Sequence, residues 1–246
     1  MDINTVSLKF NGRNSTEFGA RVIYPFNLVH AKRDLSSTSI PGVSGNYIID
    51  NKKYTDISQQ ITFIVERPTF YKTWEELEFD FEDWLFPQTD YTEYQPFYFD
   101  FLEPYHWLAY MSDAPVWTIT DTTTAQVVVT LTCKPYLVYG ETEFEDVPSI
   151  ITNTERISAS PVWHIAGDGA VTLTINDKDY KLTNIDGEIY IDCTRFLVYK
   201  SLTEFRGVVA QFPNHNYPIL NPGENKVSLS GKYSKFEYKP NWRRLV

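Results

Sequence analysis

The chain has 246 residues, a formal charge of −10, and 22% charged and 16% aromatic content. Acidity of that size opposes gripping of nucleic-acid phosphates. No stretch reaches the ~18 apolar residues of a membrane span, and the length suits one large β domain or two smaller ones.

The N-terminus lacks a basic segment followed by an apolar one, so a protein made in the cytoplasm is expected. Cys133 and Cys193 stand far apart without metal spacing, and two buried free thiols are expected. Val6–Phe10 alternates and runs into Asn11-Gly12, a strand followed by a tight turn. Ala20–Tyr24 is a second strand. Residues 31–56, "AKRDLSSTSIPGVSGNYIIDNKKYTD", are polar, with Pro41, Gly42 and Gly45 in the middle. They are too long for a simple connection in a compact domain. The segment reads as a mobile loop or as an arm whose partner is another subunit.

Gln60–Glu66 is a clear strand. Residues 73–86 form the one convincing helix. Thr73 and Glu76 make a capping box, acids fill the first turn, and Pro87 ends it. Trp74, Leu77, Phe81, Trp84 and Leu85 recur at helical spacing as a core stripe. Phe97–Leu102, Val116–Thr120 and Gln126–Cys133 read as strands, with "TDTTTA" as a polar hairpin turn. From Thr73 to Cys133 there is no Lys or Arg, while twelve acids fall in the same stretch. Collected on one face, they would form a surface past which DNA slides without sticking.

The domain boundary is placed at residue 141. Beyond it the texture is β, with strands at Val162–Ala166, Ala170–Asn176, Tyr180–Leu182, Glu188–Asp192, Phe196–Tyr199, Val208–Phe212, Lys226–Ser230 and Lys235–Tyr238. Gly167-Asp168-Gly169 reads as a hairpin turn between the first two. Strands every 8–12 residues argue a sandwich or jelly roll. In "ILNPGENKVSLSG", residues 219–231, Pro222-Gly223 turns the chain. Asn221 and Asn225 hydrogen-bond nearby backbone, and Val227 and Leu229 enter the core.

Residues for chemistry are sparse. His30, His106, His164 and His215 are scattered, with no paired metal spacing, and no phosphate-binding glycine loop occurs. Asp186, Glu188 and Asp192 share one strand face with Tyr190, opposite Ile185, Ile189 and Ile191. Glycoside hydrolysis needs two such carboxylates, but a solvent-facing strand gives the same pattern. No catalytic residue, metal site or cofactor is expected. Asn214, His215 and Asn216 in "FPNHNYP" are the candidate sugar contacts. A carbohydrate-binding module contacting the host cell wall is the alternative function.

The order of these segments resembles the distal tail proteins of siphophages, the Dit family. The resemblance runs through "FNGRNSTEFGARVI", "IPGVSGNYIIDNKKYTDISQQITFIVE", "WEELEFDFEDWLF", "ASPVWHIAGDGAVTLTIN", "LTNIDGEIYIDCTRFLVY", "ILNPGENKVSLSG" and "KPNWRRL". Val43-Ser44 stand where the family's Pro-Gly-x-x-Gly segment more often carries Arg-Asp. The resemblance implies a mainly β fold. An N-terminal ring-forming domain, 1–140, would hold one α-helix and a β-hairpin arm; residues 141–246 would be a galectin-like β-sandwich. It further implies a non-enzymatic homohexamer at the virion tail tip, assembled in the host cytoplasm without membrane insertion. Such a ring joins the tail tube protein to the tail-associated lysin or fibre protein, carries receptor-binding protein, and lets DNA pass without specific binding. Pro41, Gly42, Gly45 and Tyr47 are the expected arm contacts.

Overall fold

A computed structural model describes residues 5–86, 94–111, 113–140 and 143–246. Pro87, read as the helix stop, lies outside them, as do Asp90 and Glu93 of the acidic stretch. The chain divides into two compact units, Met1–Gly140 with Leu245–Val246, and Glu141–Arg244. Each has its own apolar core.

In the first unit β1 (Thr5–Val6), β2 (Leu8–Phe10), β3 (Arg13–Asn14) and β4 (Ala20–Ile23) come first. A separate antiparallel ribbon follows, made of β5 (Arg33–Ser39) and β6 (Asn46–Tyr54). Then come β7 (Ile57–Glu66), helix α1 (Trp74–Leu85), β8 (Gln95–Phe99), β9 (Tyr105–Met111), β10 (Val116–Ile119) and β11 (Thr124–Tyr139). The main sheet has the order β1-β4-β7-β11-β9-β8-β2-β3, and β10 pairs with β11.

Strand period explains the sheet. Along β7 the buried side chains are Ile57, Gln59, Ile61, Phe63 and Val65. Along the 16 residues of β11 the odd-numbered positions from Ala125 to Leu137 are buried and the even ones face outward. The Asn11-Gly12 turn falls where expected, pairing Phe10 with Arg13. β9, "YHWLAYM", has no counterpart in the sequence reading, since it lacks any β-branched residue. Its Trp107 and Ala109 are nonetheless fully buried.

Helix α1 seals the inner face with Leu77, Phe81, Trp84 and Leu85. Trp84 stacks on Phe18 and donates its indole N–H to the Phe10 carbonyl at 2.8 Å. Only half of the capping box forms. Thr73 Oγ1 accepts from Glu76 N at 3.3 Å, but Glu76 reaches back to the N–H of Lys72, one residue earlier than a capping box requires.

The second unit contains β12 (Glu145–Asp146), β13 (Ile150–Asn153), β14 (Val162–Ile175), β15 (Lys178–Asp192), β16 (Leu197–Ser201), β17 (Glu204–Phe205), β18 (Ala210–Gln211) and β19 (Gly223–Lys239). The last strand, β20 (Arg243–Leu245), pairs with β11. The second unit's sheet runs β12-β19-β14-β15-β16-β17, with β13 on β19 and β18 on β15.

Gly167-Asp168-Gly169 is not a hairpin turn. β14 runs straight through it, paired with β15 on one side and β19 on the other, and shifts register there. Three pairs of expected strands are therefore three long bent strands: β14, β15 and β19. The bend sits where β14 and β19 cross closely. A Cβ on Gly167 would lie 2.5 Å from the Lys232 carbonyl oxygen, and one on Gly231 would lie 2.5 Å from that of Ala170. Glycine and a bulge together let a strand turn a corner without ending. Residues from both sides of the bend, among them Trp163, Ile165, Leu173 and Ile189, share one core. The true hairpin is Asn176-Asp177, which pairs Ile175 with Lys178; both turn residues have positive φ, as a two-residue turn requires.

Candidate functional site: the exposed ribbon

The ribbon β5–β6 pairs only with itself among the described strands, and every residue along it is exposed or half-exposed. Its root is pinned. Buried Gln59 donates to the Asn27 carbonyl at 3.0 Å and accepts from Val29 N at 2.9 Å. Thr55 N donates to the Lys32 carbonyl, and Ala31 N to that of Val246. Just above the root, Arg33 grips Asp50 with two bonds of 2.9 and 2.8 Å, and Lys53 reaches Asp34 at 3.2 Å. Exposed pairs of this kind are screened by solvent and contribute little.

Beyond the root the ribbon changes character. From Leu35 to Ile49 there is no charged residue. Pro41, Gly42 and Gly45 form the tip, where Val43 N donates to the Ile40 carbonyl at 3.1 Å. Pairing puts Tyr47 opposite Thr38 and Ile49 opposite Ser36 on one face; Ile48 lies opposite Ser37 on the other, which Leu35 shares. Tyr47 is 61% exposed and Ile48 63%. Apolar side chains thus stand in water on both faces of a two-stranded element, an element that is marginally stable by itself.

The described acids of residues 73–133 fall on several elements. Six lie on α1 (Glu75, Glu76, Glu78, Asp80, Glu82 and Asp83), and Asp121 caps a turn by accepting from Thr123 N and Thr124 N. Asp80 is held below the usual carboxylate range, chiefly by the Arg13 guanidinium at 2.9 Å and also by the Tyr71 hydroxyl. The outward side of β7 and β11 is mostly uncharged, showing Ser58, Gln60, Thr62, Ile64, Gln126, Val128, Thr130 and Thr132, and it carries Glu66 and Lys134.

The three candidate carboxylates do not converge. Asp186 lies 3.6 Å from Lys200 Nζ. Asp192 is buried and accepts from Thr194 N and Arg195 N. Glu188 reaches His164, and with that histidine belongs to a cluster missed in the sequence. His164 Nδ1 lies 3.0 Å from Glu237 and Nε2 3.3 Å from Glu188, while its ring stacks on Tyr190 at 4.5 Å. Lys235, at 2.8 Å, and then His164 hold Glu237 below its usual range. The cluster is a ladder across adjacent strands: β19, β14 and β15 pair Glu237 with His164 and His164 with Tyr190. Only pairing register could have exposed it, because the partners of His164 lie 24 to 73 positions from it.

Asn214, His215 and Asn216 share one exposed turn, with Asn214 and His215 both at positive φ. Beside it an open groove of about 560 Å³ is lined by Asp177, Lys181, Gln211 and Phe212 among others. The neighbouring rings of Phe212 and Tyr217 are half-buried and pack edge to face on each other. In "ILNPGENKVSLSG", Asn225 is wholly buried. It donates to the carbonyls of Asn221 and Gly223 at 2.8 and 3.0 Å and accepts from Asn221 N and the Asn176 amide at 2.9 Å each. That loop binds itself. Both thiols are buried; burial pushes Cys133 up to about 12 and Cys193 well above its ordinary value, so neither is a ready nucleophile. Among the described residues no His, Cys, Asp and Glu group is arranged to hold a metal, and no helix is long and apolar enough to cross a membrane.

No protein-family model and no curated protein matches the sequence. Among solved structures the chain is similar to SPP1 Dit (gp 19.1), described as a paradigm of the hub adsorption apparatus in phages infecting Gram-positive bacteria. Identity is 14%, the TM-score is 0.69, and the match covers 95% of this chain and 96% of the other. A TM-score of 0.69 over nearly the whole of both chains shows that this mainly β chain has the fold of a Dit protein.

Proposed function

We propose that this protein is the structural hub of a siphophage tail tip. Identical subunits, six by the resemblance, close into a ring that joins the tail tube protein to the tail-associated lysin or fibre protein and offers a platform for receptor-binding protein. Its place is the virion, after assembly in the host cytoplasm. The role needs no catalysis, and the second unit, read as a galectin-like sandwich, serves as an outward block. DNA passes through the ring without being held.

The observation that carries this reading is the ribbon. A folded chain gains nothing by holding Leu35, Tyr47, Ile48 and Ile49 in water, and burying each against another subunit is worth about 1.5–3 kcal/mol. Hydrophobic burial on a neighbour therefore supplies the stability that a lone ribbon lacks. A contact between unlike surfaces of identical subunits closes into a ring when its rotation permits.

Removing Ser39–Lys53 and joining the ends with a short glycine linker is expected to abolish rings in negative-stain images. The melting transition and the protection of β7 and β14 should stay unchanged. Rings that persist without the ribbon would refute its role in assembly.

A further inference from the structure

We propose that residues 243–246 are a strap that couples the second unit to the root of the ribbon, so that loosening its grip on the second unit frees the ribbon's exit from the first. The strap works within one chain, so it stands whether or not copies assemble into a ring.

The segment changes sides in its middle. Trp242 packs on the second core. Arg243 donates to the Ser158 carbonyl at 2.5 Å, and Arg244 holds Glu155 with two bonds of 3.2 and 2.8 Å. The next two residues, Leu245 and Val246, belong to the first unit. Val246 N donates to the Pro135 carbonyl at 3.2 Å, its own carbonyl accepts from Ala31 N at 3.0 Å, and its side chain packs on the first core. Two residues lie between the grip on Glu155 and the bond to Ala31. They span about 7 Å at most, so the chain there has no slack to absorb a displacement.

Ala31 stands where the ribbon is set. Residues 27–32 lead into β5 without helix or strand structure. They are held by Gln59 at Asn27 and Val29, by Val246 at Ala31, and by Thr55 at Lys32. Gln59 and Thr55 lie close to the start of β7, on the ribbon's own return path. Val246 arrives only after the chain has built the whole second unit. Leu28 and Val29 are 39% and 38% exposed, and a half-open segment on few anchors opens locally at low cost. β5 spans seven residues, about 24 Å, so a small rotation at its base swings the apolar tip widely.

The grip is built to let go. Glu155 is 11% exposed, but Arg244 is 53% exposed. The guanidinium can therefore leave the carboxylate for water without opening a core.

Hydrogen exchange on the full-length chain tests the strap. Arg244→Glu sets a carboxylate against Glu155 and should raise exchange in residues 27–33 about threefold, with β14 and β19 unchanged. Exchanging the two charges, Arg244→Glu with Glu155→Arg, should restore most of the protection. Deleting Leu245–Val246 should raise exchange in residues 27–33 at least as much. Wild-type exchange there in Arg244→Glu overturns the proposal. It is overturned even if the deletion acts, because Val246 is then a local clasp with no link to the second unit. Should Arg244→Glu fail to fold, Arg244→Gln removes the charge alone and is expected to give about a twofold rise; no rise overturns the proposal equally.

Discussion

Gly19→Ala is expected to destabilise the first unit by about 4 kcal/mol. Gly19 ends the short 3-10 turn Ser15–Phe18 with φ 66°, a left-handed conformation that costs alanine about 1–2 kcal/mol. The larger part is steric. A Cβ there would lie 2.0 Å from the Glu66 carbonyl oxygen, a backbone atom fixed in β7. The clash cannot be relieved by a rotamer change. β4 must move off β7, breaking the Glu66 N–H bond to the Gly19 carbonyl at 3.0 Å and opening the core around Phe18 and Phe63, both fully buried. Hydrogen exchange read peptide by peptide on the full chain tests this. Protection should fall across β4 and β7 and hold in β14 and β19. A loss under about 1 kcal/mol would show that the close approach is not structural.

Asn225→Ala should cost the second unit about 3 kcal/mol. The side chain is wholly buried and donates to the Asn221 and Gly223 carbonyls while accepting from Asn221 N and Asn176 Nδ2. Alanine leaves these partners inside the protein without a replacement, and an unmet buried group costs about 1–3 kcal/mol. Asn225→Asp is a sharper probe. It keeps the acceptor but sets a charge against two carbonyl oxygens, so it should be no better than alanine. Urea unfolding followed by hydrogen exchange in β14 and β19 gives the number. If Asn225→Ala leaves stability unchanged, the loop has a purpose other than holding the end of the unit together.

The local chemistry of turns was legible residue by residue. Asn11-Gly12 and Asn176-Asp177 turn the chain where their left-handed tolerance allows. So was amphipathic periodicity: the inward residues of β7, β11 and α1 are those with period 2 or 3.6. Gly167-Asp168-Gly169 misled for a physical reason. Glycines that permit a turn and glycines that permit two backbones to touch look the same until the second backbone, near Lys232, is in place. At the candidate site the polar, glycine-centred segment 31–56 announced a loop or an arm. Which of its side chains face together came only from strand register.

The sequence by itself determined the elements whose causes are local: the helix start, the two-residue turns, the alternating strands and the polar arm with proline and glycine at its tip. These follow from backbone sterics and side-chain period within a few residues. Tertiary structure decided everything that depends on partners far along the chain. It joined three pairs of apparent strands into three bent ones and placed His164 between Glu188 and Glu237. Those outcomes rest on pairing register across tens of residues, and register is set by the packing of whole faces rather than by any short run of residues.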